Sequence, residues 1–365
     1  MDVQFSEEEL LLHESILGQA EKLGPSSVAG YEDFDDRLLW ERLAAGGALG
    51  LGLPEALGGA GLGLPEQCSV LIEIGRAASD VPYLTSIVLG AGALAEFGSA
   101  EQQQRWAVPA GRGSVVLTAA LAEEDGDDPR LPSARAVRAE GRWLLSGVKT
   151  AVPAGPSADL FLVPAAVPDG VAVFLVLPSD DGVRVERQRL TDFAEAGRVV
   201  LDGVPLAEDR VLGPGAEVTG WLVSRATVGL CASQSGVIDR ALELTAEHAR
   251  SRVQFGRPIG SFQAVAQRLA DAYIDTEAVR LTMWQAAWLL ASGDAAADVA
   301  VAAAKFWAAD AGHRVAHTAV HVHGGLGIDT SYPVHRYFVA AKHLEFALGG
   351  ATAQLRRIGA ALAGP

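Results

Sequence analysis

The sequence predicts an α+β fold in which a β domain lies between two helical domains. Apolar residues recur at helical spacing in residues 1–113 and 214–365, whereas residues 114–213 contain short β-rich runs. Gly, Pro and Asp separate those runs at a spacing of roughly ten residues, which is typical of an antiparallel sandwich or barrel. The chain has 365 residues, enough for two or three domains with a large core.

The N-terminal region is predicted to be helical on the basis of three apolar groups. They are Leu10, Leu11, Ile16 and Leu17, then Leu38, Leu39 and Leu43, then Val70, Leu71, Ile74 and Ala77. Pro54 and the glycines at positions 58, 59, 61 and 63 predict a loop before the third group.

The middle region is predicted to form strands at SVVLTAAL, WLLSGVKTAV, DLFLVPAAV, VAVFLVL and GRVVLDGV. Its most apolar span is 159–178, but prolines and aspartates interrupt it, so it favours two buried strands over a membrane helix. The C-terminal region is predicted to be helical over 263–290 and over an Ala-rich stretch at 295–320.

Composition excludes several classes of function. The formal net charge of −16 disfavours nucleic acids and anionic membranes as partners. The two cysteines, Cys68 and Cys231, give neither a disulfide framework nor a metal pattern, which favours a reduced, cytoplasmic compartment. Residues 1–20 are acidic and amphipathic, so we do not expect a signal peptide.

The stretch SRVQFGRPIGSFQ, residues 251–263, concentrates cationic, aromatic and amide side chains. We expect one helix to end near Phe255-Gly256, because Pro258 prevents its simple continuation, and a second to begin after Ser261 as N-cap. The stretch is either a plain helix–helix corner with solvated arginines or a corner that binds a pyrophosphate through a forked guanidinium.

Histidines and glycines mark the end of the Ala-rich helix. His313, His317 and His321 share a helix face, but no carboxylate or cysteine accompanies them at ligand spacing, so a metal site is disfavoured. Gly324 and Gly325 predict a helix stop whose backbone could approach a phosphate or carbonyl closely.

Taken together, SRVQFGRPIGSFQ and HVHGGLGIDTSYPVHRYFVAAK resemble the acyl-CoA dehydrogenase family of flavoproteins. LPEALGGAGLGLPEQ resembles its N-terminal domain, and WLLSGVKT followed by ADLFLV resembles its middle domain. The resemblance implies an N-terminal helical domain (1–113), a middle β domain (114–213) and a C-terminal four-helix bundle (214–365). It further implies a dimer of dimers with FAD across a subunit interface and electron-transfer flavoprotein as electron acceptor. In the implied reaction a glutamate removes the α-proton of an acyl-CoA and FAD accepts the β-hydride.

The resemblance assigns cofactor contacts residue by residue. The residues that match positions contacting the ADP half of FAD are Arg252, Gln254, Phe255, Ile259, Phe262 and Gln263, with His321, Val322, Gly324 and Gly325. His321 stands where many relatives have glutamine, a change that keeps a hydrogen-bonding group.

The chain departs from the family pattern at the flavin ring and at the base. Ala122–Asp127 reads AEEDGD where the family has a Thr-Glu-Pro…Gly-Ser-Asp stretch, and Lys149-Thr150-Ala151-Val152 lacks the usual tryptophan. We therefore expect an empty or degenerate flavin-ring pocket with two or three added carboxylates nearby. Leu348, within FALGGAT, occupies the position of the usual catalytic glutamate, and Glu345 lies three residues earlier. The second position that the family uses for its base, in Leu222–Thr227, has no carboxylate either.

The stretches RPIGSFQAV, GHRVAHT and EFALGGAT are similar in particular to the base-lacking subunit of actinobacterial α2β2 acyl-CoA dehydrogenases. Those enzymes act on CoA thioesters of the cholesterol side chain. This resemblance implies a non-catalytic subunit that completes the FAD site of a glutamate-bearing partner. Two alternatives remain: a self-sufficient homotetramer that uses Glu345 or Glu247 as base, and a structural module that binds no cofactor.

Overall fold

The computed structural model describes residues 36–126 and 128–363. The apolar group predicted as a helix at Leu10–Leu17, the N-terminal segment judged not to be a signal peptide, and Asp127 lie outside these residues. The described residues form two compact units. The first contains residues 36–39, 68–81 and 228–363, and the second contains Trp40–Gln67 and Pro82–Thr227. The division into three domains at 113 and 213 stays a prediction.

Helices precede the sheet, as the apolar spacing predicts. Helix α1 spans Asp36–Ala45 and α2 spans Leu64–Arg76, and the glycine-rich loop between them contains short 3-10 turns at Ala48–Gly50 and Glu55–Leu57. A helical run follows. It begins with a π-helix at Tyr83–Ala91 that continues into α3 (Gly92–Phe97). Helix α4 (Ala100–Gln102), a second π-helix at Gln103–Ala107 and α5 (Val108–Gly111) complete the run.

The middle of the chain forms an eight-stranded sheet. The strands are β1 Leu117–Ala119, β2 Arg135–Ala139, β3 Arg142–Pro153, β4 Leu160–Val167, β5 Gly170–Val176, β6 Val183–Arg189, β7 Glu195–Leu206 and β8 Val211–Leu212. Their order is β6-β7-β3-β2-β4-β5-β8, with β1 paired to β4. Most pairs are antiparallel, but β1 and β2 each pair with β4 in parallel. The sheet is therefore mixed, although the strand content of residues 114–213 agrees with the prediction.

Buried apolar side chains of the long strands hold the sheet together. Phe161, Phe174, Leu145, Val199 and Val204 belong to one core cluster and are almost fully buried. The apolar span at 159–178 is thus β4 and β5, the two buried strands that were predicted. Among the residues that the structure describes, no helix is both long and apolar enough to span a bilayer.

Long helices follow the sheet. They are α6 Gly215–Ser251, α7 Gln263–Ala291, α8 Ala297–His323, α9 Val334–Phe346 and α10 Ala351–Ala363. A cluster that includes Val237, Ala241, Ala316, Val334 and Tyr337 packs α6, α8 and α9 together. Helices α7 and α8 confirm the predicted helices at 263–290 and 295–320. Tyr273 on α7 is exposed.

Candidate functional site

The helix–helix corner is a short hairpin. Helix α6 ends at Ser251, so the predicted end at Phe255-Gly256 is wrong by four residues. Strands β9 (Val253–Gln254) and β10 (Arg257–Pro258) pair antiparallel, and Phe255 and Gly256 make the turn with φ of +53° and +79°. Two central residues with positive φ are typical of the tight turns that join hairpin strands. The backbone thereby presents the Phe255 ring outward with 91% of its surface exposed.

Cationic and aromatic side chains surround this hairpin. The Arg257 guanidinium lies 4.1 Å from the centroid of the Phe262 ring, and Phe255 meets that ring edge-on at 6.1 Å. Arg252 is exposed, and its side chain forms no ion pair with any residue of the described chain. An exposed, unpaired guanidinium beside an aromatic turn can bind an anionic group through two parallel hydrogen bonds.

The start of α7 differs from the prediction in its cap. Phe262, in an extended conformation, is the N-cap residue and makes no side-chain cap hydrogen bond. Ser261, predicted as the cap, instead donates its Oγ–H to the carbonyl O of Pro258 at 2.7 Å. Gln263 is the first residue of α7 and is exposed. Gln254 is also exposed, and Ile259 is partly buried. The N-terminus of this long helix carries the partial positive charge that favours an anion.

Helix α8 ends at His323, where the glycines predicted a stop. Gly324 has φ of +61°, and no other group lies near the position of a Cβ on Gly324 or Gly325. His321 is exposed and Val322 is buried. The exposed backbone of the two glycines could therefore approach a ligand closely.

His323 is the buried member of this turn. Its Nδ1–H donates to the carbonyl O of Ala319 at 2.9 Å, and its ring stacks on His248 with centroids 4.3 Å apart. Its Nε2 is buried and has no hydrogen-bond partner among the residues described. Burial lowers the pKa of His323, and the same cause lowers that of His248. Both rings are therefore neutral near pH 7.

The segment predicted as a degenerate flavin-ring pocket contains a buried ion pair. Lys149 Nζ and Glu123 Oε1 are 2.6 Å apart, and the two side chains are 0% and 5% exposed. Glu123 also accepts backbone N–H groups of Ser133 and Ala134 at 2.5 and 3.0 Å. Burial raises the pKa of Glu123, but these donors outweigh it, so the pKa lies below its ordinary value.

Neighbouring side chains are also engaged. Glu124 pairs with Arg198 at 2.8 Å, and Gln188 Oε1 accepts the backbone N–H of Ala151 at 2.8 Å. Ala151 has φ of +47° at an irregularity of β3. Glu123 and Glu124, two of the added carboxylates, therefore each have a cationic partner, and the degenerate ring pocket stays a prediction.

The FALGGAT segment separates α9 from α10 at 347–350. Leu348 has φ of +56° and Gly349 has φ of +93°, so a leucine occupies a conformation that side chains with a Cβ rarely adopt. Buried Gln354 holds this loop by donating its Nε2–H groups to the carbonyl O atoms of Leu348 and Gly349, at 3.2 and 3.0 Å.

A buried lysine supports the end of α9. Lys305 Nζ donates to the carbonyl O atoms of Leu344 at 2.7 Å and Glu345 at 3.1 Å. Burial lowers its pKa to about 8. The ammonium group thus satisfies carbonyls that the helix end leaves without intrahelical partners.

The structure shows the surroundings of Glu345 and Glu247, the two carboxylates named as alternative bases. Glu345 Oε2 accepts from Lys342 Nζ at 2.5 Å and lies 3.2 Å from His313 Nδ1, and 14% of its side chain is exposed. Glu247 lies on α6 and is exposed. The His313 and His317 rings lie 4.3 Å apart. Within the described ranges, no group of three His, Cys, Asp or Glu side chains is arranged to hold a metal ion.

Comparisons with known proteins identify the family. Residues 6–114 match the acyl-CoA dehydrogenase N-terminal domain, and residues 213–363 match the C-terminal domain. Acyl-CoA dehydrogenase FadE27 of Mycobacterium tuberculosis is 52% identical over 338 residues, which cover 90% of this chain and 88% of that protein. The chain belongs to the acyl-CoA dehydrogenase family.

Solved structures agree with this assignment. The chain is similar to a chain of the ChsE4-ChsE5 complex from Mycobacterium tuberculosis, with a TM-score of 0.94, 48% identity and full coverage of both chains. It is also similar to the Tcur3481-Tcur3483 steroid ACAD, with a TM-score of 0.90, 40% identity and 98% coverage of each chain. The acyl-CoA dehydrogenase fold predicted from the sequence is confirmed, and members of this family bind FAD.

Sequence reasoning missed Lys305, Gln354 and Gln188. Lys305 had one available signal, because it interrupts the apolar face that Val301, Ala304 and Ala308 form on α8. Gln354 and Gln188 carry no such signal, since their partners are backbone groups that only the folded loop or sheet brings near.

Proposed function

We propose that this chain is the non-catalytic subunit of an α2β2 FAD-dependent acyl-CoA dehydrogenase. In this proposal it completes the FAD site of a glutamate-bearing partner, which oxidises the Cα–Cβ bond of a steroid side-chain CoA thioester. The heteromeric ChsE4-ChsE5 structure and the Tcur3481-Tcur3483 steroid ACAD support both the partner and the substrate class. The physiological acceptor in this proposal is electron-transfer flavoprotein.

The observation that carries the proposal is Leu348. Its alkyl side chain cannot accept a proton, and it stands in a loop that Gln354 holds in one arrangement. Loss of a positioned base removes a contribution of about 10²–10⁴-fold to the rate. A chain with this loop therefore needs a carboxylate from another chain.

The two alternative bases are poorly suited to the role. Glu345 Oε2 already accepts a hydrogen bond from Lys342 Nζ, so this oxygen is engaged within the chain. Glu247 is solvent-exposed on α6, whereas the base position at Leu348 follows α9. These features argue against the self-sufficient homotetramer.

The hairpin residues fit the adenosine and phosphate half of FAD. Arg252 offers an unpaired forked donor, Phe255 offers an exposed ring, and Gly324 and Gly325 offer open backbone. In the proposal these groups, with Gln254, Ile259, Phe262, Gln263, His321 and Val322, contact a cofactor that the partner holds. When bound, FAD supplies the hydride acceptor of the reaction.

An exposed apolar stripe supports assembly with another chain. Ile274, Leu281 and Trp288 are seven residues apart on α7, and each exposes about half of its surface or more. A seven-residue repeat places side chains on one face of a helix, as in helices that pack against a partner helix. Tyr273 adjoins the stripe and is also exposed.

Co-expression with a glutamate-bearing acyl-CoA dehydrogenase subunit as the proposed partner tests the proposal. The chain should co-purify with that partner, and flavin absorbance and steroid-CoA oxidation should appear only in the complex. Within the complex, Arg252→Ala and Phe255→Ala should lower flavin content, whereas Arg250→Ala on the neighbouring helix end should not. Stoichiometric flavin and turnover in the lone chain would contradict the proposal. Absence of flavin even in the complex would favour the structural-module alternative.

A further inference from the structure

A second cationic site lies in the unit that carries the sheet, within the segment Leu222–Thr227 that has no carboxylate. Arg225 of α6 is partly buried, and its guanidinium carbon lies 4.0 Å from the centroid of the Trp221 ring. In the described part of the chain, its side chain makes no ion pair and no hydrogen bond. Glu96 acts on it only through a longer-range attraction, and burial lowers the pKa of Arg225 to about 10.

The aromatic ring beneath this guanidinium is held from two sides. Phe97 meets Trp221 edge-on with centroids 5.9 Å apart. Gly92 lies so close that a Cβ there would be 2.9 Å from the Trp221 ring. Because the ring is fixed, the guanidinium that stacks on it is fixed in orientation as well. A stacked guanidinium keeps its N–H donors around its edge, where they remain available to a ligand.

A second arginine adds positive charge to the same turn of α6. Arg130 Nη2 lies 3.5 Å from Oγ of Ser224, the residue beside Arg225. Its own carboxylate contact, with Asp128, is long at 3.8 Å. The segment Leu222–Thr227 contains no carboxylate. Two guanidinium groups therefore lie close to this turn of α6 in a chain whose formal net charge is −16.

A partly buried cation without a direct ion-pair partner is unfavourable for folding, because its loss of hydration is not offset by a salt bridge. We propose that Arg225, stacked on Trp221, is the anchor of an oxyanion-binding site that accepts a carboxylate or phosphoryl group. The planar fork matches either group through two parallel hydrogen bonds. This inference is independent of the proposed subunit role, since it rests on a different unit and on no cofactor contact.

Calorimetric titration of the full chain tests the site with two probes, succinate and inorganic phosphate. A titration with sodium chloride at the same ionic strength serves as the control for each probe. We expect saturable binding by the unmodified chain. Arg225→Met should weaken it about tenfold to a hundredfold, the range that loss of a charge-assisted hydrogen bond produces. Arg225→Lys should retain weaker binding, because a point charge replaces the fork.

The matched control is Arg105→Met. Arg105 also lies over a tryptophan, 5.2 Å from the Trp106 ring, but it is exposed. This variant should bind both probes as the unmodified chain does. Preference for succinate would assign a carboxylate ligand, and preference for phosphate would assign a phosphoryl ligand. Absence of saturable binding, or equal binding by the Arg225→Met variant with its fold confirmed by circular dichroism, would overturn the proposal.

Discussion

Replacing Lys149 by methionine should destabilise the sheet unit strongly. The perturbation removes the ammonium that lies 2.6 Å from Glu123 Oε1, in a pair whose side chains are 0% and 5% exposed. Breaking a buried pair by removing one partner costs about 3–5 kcal/mol, because the remaining charge stays buried without compensation. The two backbone N–H donors to Glu123 remain, so we expect the lower end of that range.

The pH dependence of this loss provides a second check. In the unmodified chain the pKa of Glu123 is lowered. The ionised carboxylate therefore contributes fully to folding stability above the ordinary carboxyl pKa, and this contribution is lost as the pH falls through the pKa of the folded state. In Lys149→Met, burial without the ammonium should raise that pKa. The loss of stability caused by Lys149→Met should therefore become smaller as the pH falls towards the ordinary carboxyl pKa. The stabilities of the variant and the unmodified chain should converge in acid.

Urea unfolding followed by circular dichroism, at several pH values, measures both effects. Lys342→Met is the matched control, because Lys342 and Glu345 form a more exposed pair, with side chains 19% and 14% exposed. That variant should cost about 1 kcal/mol or less. A loss below about 1 kcal/mol for Lys149→Met, or a loss that does not depend on pH, would refute the reasoning.

Three further predictions concern single residues. Leu348→Gly should raise the free energy of unfolding by about 1 kcal/mol in thermal unfolding, because glycine relieves the positive φ; a loss instead would show that Leu348 packing dominates. The pKa of Lys305 is lowered to about 8. Between about pH 8 and the ordinary lysine pKa, the unmodified chain should therefore gain stability relative to Lys305→Met, by at most about 1.4 kcal/mol per pH unit. Equal pH dependence of the free energy of unfolding for the two proteins, measured by denaturant titration, would contradict this. The pKa of His323 is lowered, so the free energy of unfolding should decrease as pH falls below about 6.5, where the unfolded chain binds a proton that the folded chain does not. His323→Phe should reduce this decrease. An unchanged decrease in the variant would exclude His323 as its cause.

Regular periodicity made the long helices predictable, whereas strands β2 and β6, which are rich in charged residues, were missed. Helix α7 begins and ends within one residue of its prediction because its apolar spacing is sustained. Strand β6, VRVERQR, lies at one end of the sheet and carries many charges, a pattern that edge strands use against aggregation. Strand β2, RAVRA, lies in the interior of the strand order, and its two arginines likewise interrupt the apolar pattern.

The candidate site was predictable as a set of motifs but not as a geometry. Leu348 could be placed at the base position by counting along the chain, while its left-handed backbone could not. The pairing of Glu123 with Lys149 joins residues 26 positions apart, and that of Lys305 with Leu344 spans 39. Such contacts depend on the tertiary fold, which periodicity and spacing do not encode.

The most direct test of the proposed division of labour is single-turnover flavin reduction by a steroid side-chain CoA thioester in the reconstituted complex. The complex is prepared with the partner's catalytic glutamate replaced by glutamine, and separately with Glu345→Gln in this chain. The proposal predicts a loss of about 10²–10⁴-fold for the first complex and an unchanged rate for the second. An unchanged rate in the first complex together with a large loss in the second would contradict it, since the base would then belong to this chain.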